Sequence, residues 1–197
     1  MAPNYRYYTH RLASFDSQTI SVVPTKGSRA AKSITFTWPH PPTFGATPRT
    51  LAAAGFYFAP EQGSGDRVVC FFCDVGLANW EKTDSPFEEH YTRNEDGCPW
   101  AAARCSLEKD RVKRGKTFIW KFSSPSRIPT DPARYNVRLR TFKGWPYDKA
   151  KGHNCTSKAL ARAGFVFAPD DDGYEDMAKC FYCDRELSGW SPDDDPL

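Results

Sequence analysis

The feature that most constrains this chain is that it repeats itself, with a pair of cysteines at the centre of each copy. Leu51 to Pro60 reads LAAAGFYFAP and Leu160 to Pro169 reads LARAGFVFAP. Cys70-Phe71-Phe72-Cys73 is matched by Cys180-Phe181-Tyr182-Cys183, and Leu77 and Trp80 by Leu187 and Trp190. Upstream, Arg11 to Phe15 (RLASF) pairs with Arg138 to Phe142 (RLRTF), and Trp38-Pro39 with Trp145-Pro146. The order is the same in both halves, so 197 residues divide into two copies of one small unit rather than one large core. The offset between copies is 107 at Trp38, 110 at Cys70 and 127 at Arg11, which places an insertion at residues 16–37 of the first copy. Rich in Ser, Thr and Lys and without a sustained period, it is expected to be a surface loop.

The cysteines need a purpose. There are seven, an odd number, and the first twenty residues carry Arg6, His10, Arg11 and Asp16 instead of the apolar core of a secretory signal. Both facts argue against a disulfide framework and for metal or catalysis. The Asn154-Cys155-Thr156 sequon is expected to be silent for the same reason. No apolar run approaches the roughly 18 residues of a membrane span. In the first copy the candidate ligands are Cys70, Cys73, His90 and Cys98, spaced Cys-x2-Cys-x16-His-x7-Cys. Two cysteines three apart can present both sulfurs to one ion, and a histidine and a further cysteine close a tetrahedron suited to structural zinc. A small unit buries limited apolar area, and such an ion supplies the missing stability. Four protein ligands leave no open position, so a zinc hydrolase is not expected. In the second copy only Cys180 and Cys183 are present. By the first copy's spacing the next ligand falls 17 residues after Cys183, beyond Leu197, so this module is expected to bind zinc poorly. His153 precedes the helix and is a poor substitute.

Local signals place these groups. Thr47 with Pro48 predicts a helix N-cap and first turn, and Gly55 its end; Thr156 to Gly164 repeats the pattern. Residues 56–58 and 68–72 predict strands, with Gly63 to Gly65 in the turn between. Pro86 to Tyr91 predicts a short helix, and Pro99 to Val112 a longer one, with Trp100, Ala103 and Leu107 at helical spacing. Residues 113–134, with three prolines and several serines, form a linker, giving modules at 1–112 and 135–197. The net charge is only +3, too little for nucleic-acid binding through total charge. It conceals a balance of +5 over 104–121 and of −8 over 170–197. Solvated surface accounts for either run as well as a partner does.

Both halves resemble the baculovirus inhibitor-of-apoptosis repeat, BIR. The Arg-x-x-[Ser/Thr]-Phe openings, the Trp-Pro pairs, Gly55-Phe56 and Gly164-Phe165, the Cys-Phe-aromatic-Cys turns, the Leu/Trp pairs, and His90 with Cys98 carry the likeness. The resemblance implies an α+β fold, each module a three-stranded antiparallel sheet with short helices and one zinc, with Arg11 and Arg138 structural. The segment from Cys183 to Pro196 is most similar to survivin-like subunits of the chromosomal passenger complex, fungal members included. That likeness implies a non-enzymatic adaptor working with an Aurora-type kinase and an inner-centromere protein. It also implies residence in the nucleus, at centromere, kinetochore and spindle, and otherwise in the cytoplasm.

The family binds peptides that begin with a free amino group, as a strand added to the domain's edge. The matching positions in the first copy are Gly76, Leu77 and Ala78 for the edge, Trp80 for an aromatic wall and Asp84 for the ammonium. In the second they are Glu186, Leu187, Ser188, Trp190 and Asp194. Core packing alone also accounts for the tryptophans, and an exposed loop for the carboxylates. Survivin-like modules prefer a phosphorylated histone tail, and a phosphate needs cations nearby. Arg185 stands where the family has a lysine near the phosphate, and Arg93 is the candidate in the first copy. The implied function is therefore a reader of a free-amino-terminal, phosphorylated histone tail. The alternatives are an inhibitor of caspase-like proteases through the same groove and, least favoured, a nucleic-acid-binding zinc module. A ubiquitin ligase would need a RING ligand set, which these residues do not contain.

Overall fold

The computed structural model describes residues 3–22, 32–94, 97–170 and 174–197. Contacts divide the chain into two compact units, Met1–Glu89 and His90–Leu197. In the first, helix α1 (Tyr8–Ala13) is followed by strands β1 (Gln18–Val22) and β2 (Lys32–Phe36), helix α2 (Pro48–Ala54), and strands β3 (Phe56–Phe58), β4 (Val68–Cys70) and β5 (Gly76–Leu77). Helix α3 (Pro86–Asn94) carries the chain into the second unit, which contains α4 (Pro99–Ala103), β6 (Arg111–Arg114) and β7 (Thr117–Trp120). Then follow α5 (Pro132–Thr141), α6 (Ser157–Ala163), β8 (Val166–Phe167), β9 (Ala178–Cys180) and β10 (Arg185–Leu187). The fold is α+β. Each copy has one three-stranded antiparallel sheet, ordered β3-β4-β5 and β8-β9-β10.

The repeated residues are the ones that assemble each copy. Thr47 caps α2 by accepting the Thr50 amide, while the Thr50 hydroxyl accepts the Thr47 amide in return. Thr156 accepts the Ala159 amide at the start of α6. Gly55 and Gly164 end these helices at φ 101° and 99°, a left-handed conformation that turns the chain straight into the next strand. Buried Arg11 donates its Nε–H to the Ala52 carbonyl at 2.8 Å, and Arg138 does the same to Ala161. The hydroxyls three residues on, Ser14 and Thr141, donate to the arginine's own carbonyl and accept the amides of Phe58 and Phe167. The Arg-x-x-[Ser/Thr]-Phe opening is thus a clamp that ties the first helix of a copy to its second helix and first strand. The phenylalanine enters the core: Phe15 meets Trp38 and Phe58, and Phe142 meets Trp145 and Phe167.

Three sequence expectations are corrected, and the interval between the modules is found to hold regular structure. The insertion is not simply a surface loop: β1 and β2 pair antiparallel from Gln18 opposite Phe36 to Val22 opposite Lys32, because both segments alternate and carry β-branched Thr19, Ile20, Ile34 and Thr35. Its residues 23–31 lie outside the described residues. The helix from Pro99 stops at Ala103, passes into a 3-10 turn over Cys105–Lys109 and becomes β6. Trp100, Ala103 and Leu107 are all buried, so their spacing marked a buried face and not helix length. The linker interval holds β7, which pairs with β6 across Gly115 at φ 61°, and the beginning of α5, capped by Asp131. The strand starting at Val68 ends at Cys70, because Phe71 to Cys73 form a turn.

Candidate metal centre and peptide edges

Cys70 is the last residue of β4, and Cys73 ends the turn that follows. Asp74 completes that turn at φ 59°. His90 sits in the middle of α3, and Cys98 is the residue before Pro99 at the start of α4. One ligand atom from each of the four lies within 4.8 Å of all the others. Two ligands about 2.3 Å from one tetrahedral ion stand about 3.8 Å apart, so the group closes on a zinc with little movement. Cys70, His90 and Cys98 are buried and Cys73 is partly so. Two of the sulfurs already accept amide hydrogens, Cys70 from Phe72 at 3.3 Å and Cys98 from Ala101 at 3.5 Å. Three thiols and an imidazole gathered in a dry site fit a structural zinc. Four protein donors would fill the shell of a tetrahedral ion, with no ligand position left for substrate.

Sequence reasoning left Cys105 without a role. Its buried Sγ lies 3.6 Å from His90 Nδ1, which leaves Nε2 as the nitrogen for the ion and fixes the ring's rotation. No spacing pointed to it. Asp66 and Asp176 were missed too, although a signal existed: they share the 110-residue offset of the cysteine pairs. Asp66 accepts the amides of Asn79 and Trp80 and the ring nitrogen of His40. Asp176 accepts the amides of Gly189 and Trp190 and the Tyr147 hydroxyl. Burial pushes each carboxyl up, but these hydrogen bonds outweigh it and hold both below the ordinary carboxylate range.

In the second copy Cys180 is buried in β9, and burial pushes its thiol up; Cys183 is exposed. Among the described residues no third metal-ligating group joins them. His153 stacks on Tyr147 with 4.0 Å between ring centres and accepts the Cys155 amide.

The peptide positions fall on sheet edges. Gly76 and Leu77 form β5, with Ala78 just beyond; Arg185, Glu186 and Leu187 form β10, with Ser188 next. Among the described residues no strand pairs with the outer side of either. Glu186 is held by Lys179 across the ladder. Trp80 and Trp190 are 6% and 9% exposed and pack edge-on against Phe56 and Phe165, so each is first a core side chain. Asp84 and Asp194 each accept, through Oδ2, an amide of their own turn, from Glu81 and Ser191 at 2.8 Å. Arg93 is exposed in the last turn of α3 and Arg185 at the start of β10.

A small α+β unit present twice, closed in its first copy by three cysteines and one histidine, defines a structural zinc-module protein. The family model for BIR, the Inhibitor of Apoptosis domain, matches residues 11–102 and 138–197, and the chain belongs to that family. It is similar to the chromosomal passenger complex protein bir1 of Schizosaccharomyces pombe, 36% identical over 157 residues, covering 76% of this chain and 14% of that protein. It is also similar to Death-associated inhibitor of apoptosis 2 of Drosophila melanogaster, 32% identical over 207 residues, covering 100% of this chain and 38% of that protein. The E3 ubiquitin-protein ligase XIAP of Rattus norvegicus is 35% identical over 152 residues, covering 76% of this chain and 27% of that protein. The chain therefore spans well under half the length of these relatives.

Proposed function

We propose that the chain is a non-enzymatic, zinc-stabilised adaptor whose modules, at 1–112 and 135–197, bind peptides with a free amino terminus. In this reading the peptide is a phosphorylated histone tail, and binding it places a chromosomal passenger complex, with its Aurora-type kinase and inner-centromere protein, on chromatin at the centromere and spindle. The observation that carries the proposal is the pair of short edge strands, β5 and β10, each followed by a turn whose aspartate keeps one oxygen unused among the described residues. An extended peptide adds to such an edge through main-chain hydrogen bonds, and a carboxylate at its end takes the ammonium. Arg185 at the start of β10 supplies a cation for phosphate, and the acidic residues around it suit a basic tail. The likeness to the fission yeast passenger-complex protein supports this partner class.

The test titrates the full chain with histone-tail peptides: free amino terminus with phosphate, free without, and acetyl-capped. Tight binding of the first, weaker binding of the second and none of the third is expected, and Arg185→Glu should erase the difference between the first two. Equal binding of all three overturns the proposal. A second reading, inhibition of caspase-like proteases through the same edges, is favoured by the likeness to the Drosophila inhibitor along the whole chain. Inhibition of a caspase panel by the chain, removed by Asp84→Ala with Asp194→Ala, would support it.

A further inference from the structure

The β6–β7 ribbon is an exposed, strongly cationic element, and neither the zinc nor the peptide reading uses it. Residues 111–121 read RVKRGKTFIWK, with five cations and no carboxylate. The register pairs Arg111 with Trp120, Lys113 with Phe118 and Arg114 with Thr117, so cations leave the ribbon on both faces and at its tip. Val112, Lys113, Arg114, Lys116, Thr117, Phe118 and Ile119 are all exposed. The carboxylates that precede the ribbon in the chain are spent elsewhere. Asp110, 2% exposed, is held by Arg127 through contacts of 2.7 to 3.0 Å, and Glu108 takes Arg104 at 2.6 Å. Among the described residues none of the five ribbon cations has an ion-pair partner.

We infer that this ribbon is a docking surface for duplex DNA, held through phosphate contacts without base reading. The charge is complementary to a phosphate backbone, and a two-stranded ribbon is a shape that a groove about 12 Å wide admits. The base of the ribbon is rigid, as a positioned contact requires. Lys121 donates its amide to the Asp110 carbonyl, and the Trp120 indole donates to the Tyr182 carbonyl at 2.9 Å while its ring meets Phe122 and Tyr182. One face of Phe118 is covered by the Arg111 guanidinium, 4.1 Å from the ring centre, and Trp120 is taken up by Phe122 and Tyr182. A single strand bound by base stacking would need those faces free. Neither face of the ribbon is purely apolar, as a membrane-lying element requires: Arg114 shares one with Val112 and Ile119, and Lys113 the other with Phe118.

The test measures binding of the zinc-loaded chain to a labelled 24-base-pair duplex, to a single strand of the same length, and to vesicles with phosphatidylserine, at 50 to 200 mM salt. The duplex is expected to bind, with affinity falling as salt rises by about one power per phosphate contacted. Lys113→Glu, Arg114→Glu and Lys116→Glu together should weaken duplex binding at least tenfold and flatten the salt slope by about three. These side chains are exposed, so the triple variant keeps its zinc and its melting profile, and histone-peptide binding serves as a separate control. Phe118→Ala should leave duplex binding within about twofold. Absence of duplex binding at 50 mM salt, no loss in the triple variant, or preference for the single strand or the vesicles overturns the inference.

Discussion

Replacing Gly45 by alanine would set a Cβ 2.3 Å from the Asp84 carbonyl oxygen, a backbone atom that cannot swing aside. Gly45 also donates its amide to Lys82 in that same turn, so the clash falls on a segment already fastened in place. We expect Gly45→Ala to cost about 1–3 kcal/mol, as overpacking does, and to displace the turn that carries Asp84. Gly63→Ala is the control. Nothing lies within 4 Å of its Cβ position, and only the left-handed backbone at φ 88° resists, for about 1–2 kcal/mol. Thermal unfolding of the two variants, with peptide titration of each, separates the predictions: a matching loss of peptide binding in both would refute the role given to the turn. A buried arginine shows the same economy of means. Arg11 also donates to the carbonyls of Tyr5 and Arg6 at 2.8 Å, so its charge is shared among backbone acceptors.

Elements were legible where their signals are local. Thr47 with Pro48, Thr156, Gly55 and Gly164 mark two helices by cap and stop residues that act within a few positions, and the four ligands of the first zinc site are fixed by covalent spacing. The β1–β2 and β6–β7 hairpins were not legible, because their cross-strand pairs join segments whose own composition reads as loop or as a continuing helix face. The aspartates that fasten the two tryptophan turns escaped for another reason: a carboxylate looks exposed until its amide donors are seen. That role has a pH signature. The Asp66 carboxyl titrates lower folded than unfolded, so its stabilisation is fully present above the ordinary carboxylate value and disappears as pH falls through the depressed folded value. Asp66→Asn should therefore be less stable than the parent by a constant margin above about pH 5, and the margin should shrink below about pH 4. Melting curves of both proteins from pH 7 to 3 check this, and a margin independent of pH would remove the carboxylate from the account. A second network concerns Arg127, which binds Asp110, the Ser106 carbonyl at 2.6 Å and the Tyr91 hydroxyl at 3.4 Å; its hydrogen bond to Asp110 pushes its pKa up. Arg127→Ala leaves a buried carboxylate alone and should cost about 3–5 kcal/mol, whereas Arg127→Met with Asp110→Leu should recover much of the loss. Chemical denaturation of the single and double variants decides it.

At the scale of the whole molecule, the two copies share a clamp, a cap, a helix stop and an aspartate-fastened turn, and differ in their metal donors. Among the described residues only the first copy brings four donors together, so one copy's fold is linked to an ion and the other rests on Phe142, Trp145, Leu160, Phe165, Phe167 and Trp190. A structural zinc contributes on the order of 10–16 kcal/mol of apparent binding energy at neutral pH, as much as the whole net stability of a small domain, which is about 5–15 kcal/mol. Two thiols without further ligands supply half a tetrahedron and cannot hold the ion with comparable strength. The expected outcome is therefore one tightly held zinc per chain. Cys98→Ser should abolish it and unfold the first copy, while Cys180→Ser with Cys183→Ser should leave both the zinc and that fold in place. Metal analysis after dialysis against a moderate chelator, with amide hydrogen exchange to locate the lost protection, distinguishes the copies. A zinc content near two that falls to one in the Cys180 and Cys183 variant would show that the second pair finds its remaining ligands, and that the ion, not the aromatic core, is what both copies depend on.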